Sequence, residues 1–381
     1  MAESVSDRFR LAQKIIAVKQ SVAHAITEEF FLKHPEWETR YGERGRQFCT
    51  ADACFHMEFL AGAIEAGSPE AFADYSRWTA GMLGARGIAA HTLEENLVQL
   101  EKQLSAALAA GEREAVLAFL TRGREACLEP APPGNERSGD NLGLVRKVFL
   151  AAILGGQRAA ALSIVDEALK AGHSHLDIYI EVFAESLHRI GELWEQNKIS
   201  VAQEHSATAI TQYAIAAIYP HLVPPAVQHG SMVVTGVAGE LHQVGANLVA
   251  DAMEANGWTV RFLGTNLPHS SVLAAVEESS ASVLCISTTI VANLPSVAEL
   301  VRTVRNRLNE RTPRIVLGGV AHKPWRATKA EELIKGERIS EKTAVEAARL
   351  ALAEASPLSK NGYKVKLGRT LVKRAILGEN L

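Results

Sequence analysis

Cysteine is scarce. The 381 residues hold four, Cys49, Cys54, Cys127 and Cys285, and no CxxC pair. Such usage implies reduced, buried thiols and a cytoplasmic location. No apolar run approaches the ~18 residues of a membrane span, and the opening Met1-Ala-Glu-Ser-Val-Ser-Asp-Arg8 lacks a signal-peptide core. An excess of basic charge is missing too. The formal net charge is −3, which by itself predicts no affinity for nucleic acid. Proline is nearly absent from the first 128 residues. What remains is ordinary globular composition, 47% hydrophobic and 22% charged. The length predicts two or three domains.

Residues 1–128 read as all-helical, rich in Ala, Leu and Glu. Ile15, Ile16, Val18, Val22, Ala25, Ile26 and Phe30 mark one amphipathic helix. Thr92-Leu93-Glu94-Glu95 reads as a capping signal opening another, followed by Leu97, Leu100 and Leu104. His34, His56 and His91 are scattered without metal-ligand spacing and read as packing or surface residues. Trp37, Tyr75 and Trp78 read as core. Residues 129–142 hold three prolines and several polar residues and form a linker.

Residues 143–226 read as four helices with short turns, a small bundle. Trp194 ends the third helix, Ser200 caps the fourth, and Glu204 and His205 fall in that helix's first turn. Residues 227–320 alternate strands at 231–236, 258–263, 282–287 and 313–317 with helices at 242–256, 269–279 and 295–309. This rhythm predicts a flavodoxin-like parallel sheet, so the fold class is α/β plus all-α. At the end of the first strand stands Gly236-Val-Ala-Gly239-Glu240-Leu-His242-Gln-Val-Gly245. It places an imidazole, with a carboxylate two residues earlier, at the edge where open α/β sheets bind ligands.

Glu240-x-His242-x-x-Gly245 resembles the D/E-x-H-x-x-G fingerprint of cobalamin-binding domains. In that family the motif histidine replaces the cofactor's own base on cobalt. The resemblance implies that His242 ligates the metal, Glu240 orients it and Gly245 admits the cofactor tail. Ser287 and Thr289 after the third strand, and Gly318 and Gly319 after the fourth, match positions that line the tail's pocket. Trp194 followed by Glu204 and His205 resembles the W-x9-E-H signature of CarH-like light-sensing cobalamin regulators. That implies a cap over an upper adenosyl group and a light-driven shift of the bundle, with adenosylcobalamin as cofactor. One position departs: those regulators carry His after the Trp, and this chain has Glu195, which puts their light-state cobalt ligand in doubt. No basic recognition helix precedes the bundle, so no direct DNA binding is expected.

The N-terminal block resembles globin-like sensor domains. The domain order is similar to that of photocobilins, which implies biliverdin as a second chromophore. The combined resemblance implies a non-enzymatic light sensor, a homo-oligomer that signals to a downstream protein, with no membrane contact. The alternative is a corrinoid methyl carrier of a methyltransferase system. Residues 321–381 depart from the cobalamin pattern. From Leu317 onward, through Pro324-Trp325-Arg326 to Lys373-Arg374, the chain resembles the C-terminal part of the FAD subunit of molybdenum hydroxylases. That implies a fused segment and a family change at Gly318-Gly319, with no flavin site carried over.

Overall fold

The computed structural model describes residues 5–129, 142–222, 229–318 and 340–353, and a few positions between 330 and 373. The chain divides into two units. One comprises Met1–Asn135, Ile290–Arg302 and Trp325–Leu381, the other Glu136–Thr289 and Thr303–Pro324. The break at 135 falls inside the linker expected from the prolines. Membership of 290–302 in the first unit has no counterpart in the sequence reading.

The first unit opens with five helices: α1 (Val5–Lys33), α2 (Pro35–Ala66), α3 (Pro69–Gly84), α4 (Ala90–Ala107) and α5 (Ala110–Cys127). Pro35 and Pro69 each sit at a helix start, where the missing N–H would have had no partner. Leu60, Ile64, Phe72, Leu93, Leu97 and Leu100 are fully or almost fully buried and form the core. The capping signal expected at Thr92 is corrected: α4 starts at Ala90, and Thr92 lies within its first turn with no capping role. The helix is set by its buried leucines rather than by a polar cap. Trp78 packs against this core and Tyr75 lies in it. Trp37 is half-buried, with its ring edge-on to Phe30.

His56 is buried, and its Nδ1 lies 2.7 Å from the Tyr75 hydroxyl. Burial pushes the imidazole pKa down to about 4. Between that value and the ordinary ~6.5, the unfolded chain binds the proton and the folded one does not. Stability is therefore lost as pH falls through this window, by up to ~1.4 kcal/mol per pH unit. His56→Gln, which keeps a partner for Tyr75, should flatten that part of the profile. The check is the difference between parent and variant in denaturant unfolding from pH 7 to pH 4.

The second unit begins with α6 (Gly143–Leu154) and α7 (Arg158–Lys170). A single turn, α8 (His175–Asp177), runs through a π-helical stretch, Ile178–Ala184, into α9 (Glu185–Glu195). After it comes α10 (Val201–Ile218). Phe149, Phe183, Ile178, Val182 and Ile218 fill the bundle's core. α10 starts where predicted: the Ser200 hydroxyl accepts the Gln203 N–H, and the Gln203 side chain returns to the Ser200 N–H.

The sheet has the strands β1 (Gly230–Gly236), β2 (Trp258–Phe262), β3 (Val283–Ser287) and β4 (Arg314–Gly318). All pairs are parallel, in the order β2-β1-β3-β4. The intervening helices are α11 (Val244–Ala255), α12 (His269–Ser279) and α13 (Leu294–Leu308), and the last described helix is α14 (Glu341–Ala351). Ala246 and Ala250 of α11 pack on Met232, Val234, Val283 and Cys285, one face of the sheet. The expected helix start at 242 is corrected to Val244. The Glu240 carboxylate accepts the His242 N–H at 2.9 Å and holds that residue outside the helix.

Val244 and Leu248 of the same helix pack against the bundle core. A buried hydrogen bond from the Tyr179 hydroxyl to Asp251 Oδ2, 2.9 Å long, fastens the π-helical stretch to α11. Burial pushes the Asp251 carboxyl up, and the Tyr179 hydroxyl donor partly offsets it. At the rim, the Tyr219 hydroxyl donates to Glu254 at 2.7 Å.

Candidate cofactor site

Parallel pairing brings the C-terminal ends of three strands level: Gly236 is opposite Ser287, and Ser287 is opposite Gly318. Strand order reverses between β1 and β3, and such a switch point is the place where open α/β sheets take ligands. The loops after both strands are drawn to one carboxylate. Glu240 is fully buried. Its Oε1 accepts from the His242 ring Nδ1 at 2.7 Å and from the His242 backbone, and its Oε2 accepts the Thr289 N–H at 2.6 Å.

Burial pushes the Glu240 carboxyl up, but the His242 ring, the Thr289 N–H and the His242 N–H outweigh it and hold the group below the ordinary carboxylate range. It is an anion that three donors neutralise in place. The loop is built for that position. Gly239 takes φ 87° and donates its N–H to Asn266 Oδ1 at 2.9 Å. At Gly236 a Cβ would stand 2.7 Å from Thr265 Cγ2 and 3.2 Å from Glu240 Cγ, so only glycine leaves room for the buried carboxylate.

With Nδ1 turned inward to Glu240, the other ring nitrogen of His242 keeps its lone pair. The side chain is 60% exposed, so that lone pair is open to a ligand. The carboxylate fixes the tautomer and the orientation of the ring, as the usual outer partner of a metal-bound histidine does. A single imidazole holds a metal when the rest of the coordination sphere arrives with it, as in a macrocycle. A Cβ on Gly245 would meet nothing within 4 Å, and Leu241, between Glu240 and His242, is 74% exposed. Clearance beside the imidazole and an apolar side chain at its flank suit a broad, flat cofactor. The residues therefore fit a corrin.

Ser287 ends β3, almost buried, and Gly318 ends β4 beside it. Gly319 and most of the 321–381 segment lie outside the described residues. Trp194, half-buried, stands at the end of α9 next to the final Glu195, and α9 packs on α10. On α10 Glu204 and His205 hydrogen-bond to each other, and the Thr208 hydroxyl donates to Glu204 at 3.1 Å. The structure thus unites Glu240, His242 and Thr289 in one bonded cluster, and Glu204 with His205 in another. Sequence reasoning missed Tyr179 and Asp251, 72 positions apart, for which no local signal exists. It also missed Leu241, an unspecified position of the motif.

Two family models, each described as a B12 binding domain, match residues 145–219 and 230–341. The first range is the bundle. The second is the sheet, and it continues through Gly318-Gly319, where the sequence suggests a change of family. Methionine synthase of Mycobacterium leprae (strain TN) is 26% identical over 176 residues, 44% of this chain and 14% of that protein. The chain thus spans a small part of that relative. Monomethylamine corrinoid protein 1 of Methanosarcina acetivorans is 26% identical over 200 residues, 51% of this chain and 89% of that protein. Among solved structures, the monomethylamine corrinoid protein of Methanosarcina barkeri aligns with 20% identity and a TM-score of 0.43, over 56% of this chain and 99% of that one. No helix among the described residues is long and apolar enough to cross a membrane.

Proposed function

We propose that this chain, with its two B12-binding domains, holds a cobalamin on His242 and serves as a corrinoid methyl carrier, a non-catalytic component working with a methyltransferase. The observation that carries the reading is the buried Glu240 bridge, which presents one tuned imidazole nitrogen at the edge of the sheet. Cobalamin, when bound, would supply a cobalt centre that accepts and gives up an alkyl group. The protein's own residues position it. His242 would hold the cobalt through its free ring nitrogen, Glu240 keeps the ring's proton on Nδ1, and the Thr289 N–H stops the carboxylate from turning away. Ser287, Gly318 and Gly319 are proposed to line the tail's channel, with Gly245 admitting it. The identity with corrinoid proteins that span most of their own length supports this reading.

A second reading, a light sensor with adenosylcobalamin, is favoured by one feature: Trp194 at the end of α9 and the bonded Glu204–His205 pair opening α10. In that reading these side chains pack against the upper ligand. The bundle's hold on α11 through Tyr179 and Asp251 is then what light must loosen. The N-terminal helices would pass the change to a downstream protein, and biliverdin would be a second chromophore.

One experiment separates the two. Protein purified in the dark is loaded with methylcobalamin or adenosylcobalamin, then either mixed with a thiol acceptor and cell extract or illuminated. The carrier reading expects label from the methyl group on the acceptor, and a light response no different from that of free cofactor. A light-dependent change of elution volume without methyl transfer would replace it with the sensor reading. A further red absorption band would mark a bilin.

A further inference from the structure

Segment Ile290–Arg302 belongs to the N-terminal unit although it lies between β3 and β4 in sequence. Its hold on the helices is specific. Val291 and Leu294 are 3% and 4% exposed and are members of the N-terminal core, together with Leu60, Ala61 and Ile64. At Gly62 of α2 the two backbones touch: a Cβ there would stand 1.9 Å from the Val291 carbonyl oxygen and 2.6 Å from its carbon. Neither atom belongs to a flexible side chain, so nothing larger than glycine is accommodated without moving the segment. The Arg302 guanidinium lies 3.5 Å from the centroid of the Phe9 ring, a cation–π contact. The two ends of the segment are thus held, one by the close backbone approach at Gly62 and one by the cation–π contact with Phe9.

The residue before this segment is Thr289, whose N–H is bonded to Glu240 Oε2. Two peptide bonds separate the nitrogen that holds the Glu240 carboxylate from the nitrogen of Val291. We infer that the N-terminal helical unit reads the state of the Glu240–His242 pair through this segment, with Gly62 as the contact that receives it. The inference rests on the cobalamin reading of His242. A pull on the imidazole tightens Glu240 against the Thr289 N–H, and the strain passes along the backbone to a carbonyl with no room to slide. Helices α1 and α2 thereby acquire a role that needs no ligand of their own.

The test is hydrogen exchange on the full chain with and without hydroxocobalamin, with the visible spectrum recorded on the same samples. In the parent, cofactor should slow exchange in α2 around Gly62 and in 290–302 by about tenfold. Gly62→Val should abolish that slowing in α2 while the imidazole-on spectrum persists. Val291→Ala, which trims a core side chain and leaves the backbone contact, covers the case in which the valine variant does not fold. It should retain the slowing at reduced size. Unchanged exchange in α2 of the parent, with the imidazole-on spectrum present, overturns the inference and leaves the cofactor reading standing. A parent without an imidazole-on spectrum overturns both.

Discussion

His242→Ala should lose the imidazole-on spectrum of bound cobalamin and bind the cofactor more weakly by about 100-fold or more. Removing an outer partner of a metal-bound histidine costs ~10–100-fold, and removing the ligand itself should exceed that. Stability should change little. His242 is 60% exposed, and Glu240 keeps the Thr289 N–H and the residue 242 N–H after the ring has gone. Titration of apo protein with hydroxocobalamin, followed in the visible range, measures both quantities. His205→Ala is the control, because it removes an exposed imidazole on α10 and should leave the spectrum as in the parent. A persistent imidazole-on spectrum in His242→Ala, lost in His205→Ala, would move the ligand to the bundle.

Glu240→Leu should be the second largest effect, and a different one. The leucine fills similar space but accepts no hydrogen bond. The part-buried Thr289 N–H loses its acceptor, at up to ~1–3 kcal/mol, while the N–H of exposed His242 can turn to water. The ring loses the partner that fixed its tautomer, so cobalamin affinity should fall ~10–100-fold while the imidazole-on spectrum survives at saturation. Loss of affinity with retained ligation separates this variant from His242→Ala. Thermal unfolding should show the cost as a lower midpoint in the apo protein. An unchanged midpoint with unchanged affinity would mean the carboxylate positions nothing.

Much of the fold is legible in the sequence. The strands stand out as short apolar runs, and the sequence predicts β1 at 231–236 where the structure has Gly230–Gly236. Glu240 and His242 were legible because two residue types with one joint chemistry stand at a strand end. The contribution of Thr289 was half legible. The resemblance pointed to the residue, but the bond to Glu240 uses its backbone N–H, which nearly any side chain would leave in place. The start of α11 was misplaced for the same reason: a side chain captured the N–H of residue 242, and periodicity does not register such a bond. Tyr179 and Asp251 meet only in three dimensions. Residues 290–302 carried no sign of their partner, because the apolar stripe of a helix is the same whatever covers it. Gly62 was invisible too, since a glycine inside a helical run shows no trace of the carbonyl pressed against it.

The single carboxylate that ties two loops together also decides what could be transplanted. A designer moving the ten residues from Gly236 to Gly245 onto another doubly wound sheet would carry the histidine and its carboxylate but not the groups that hold the carboxylate and its loop in place. The recipient would also need room for the motif's first glycine where Thr265 stands here, an asparagine facing the Gly239 N–H, and a free backbone N–H two residues past its third strand. The smallest portable module is therefore discontinuous, three short pieces of chain from three loops. Grafts of the motif alone should yield a sheet with a surface imidazole and little hold on a cofactor.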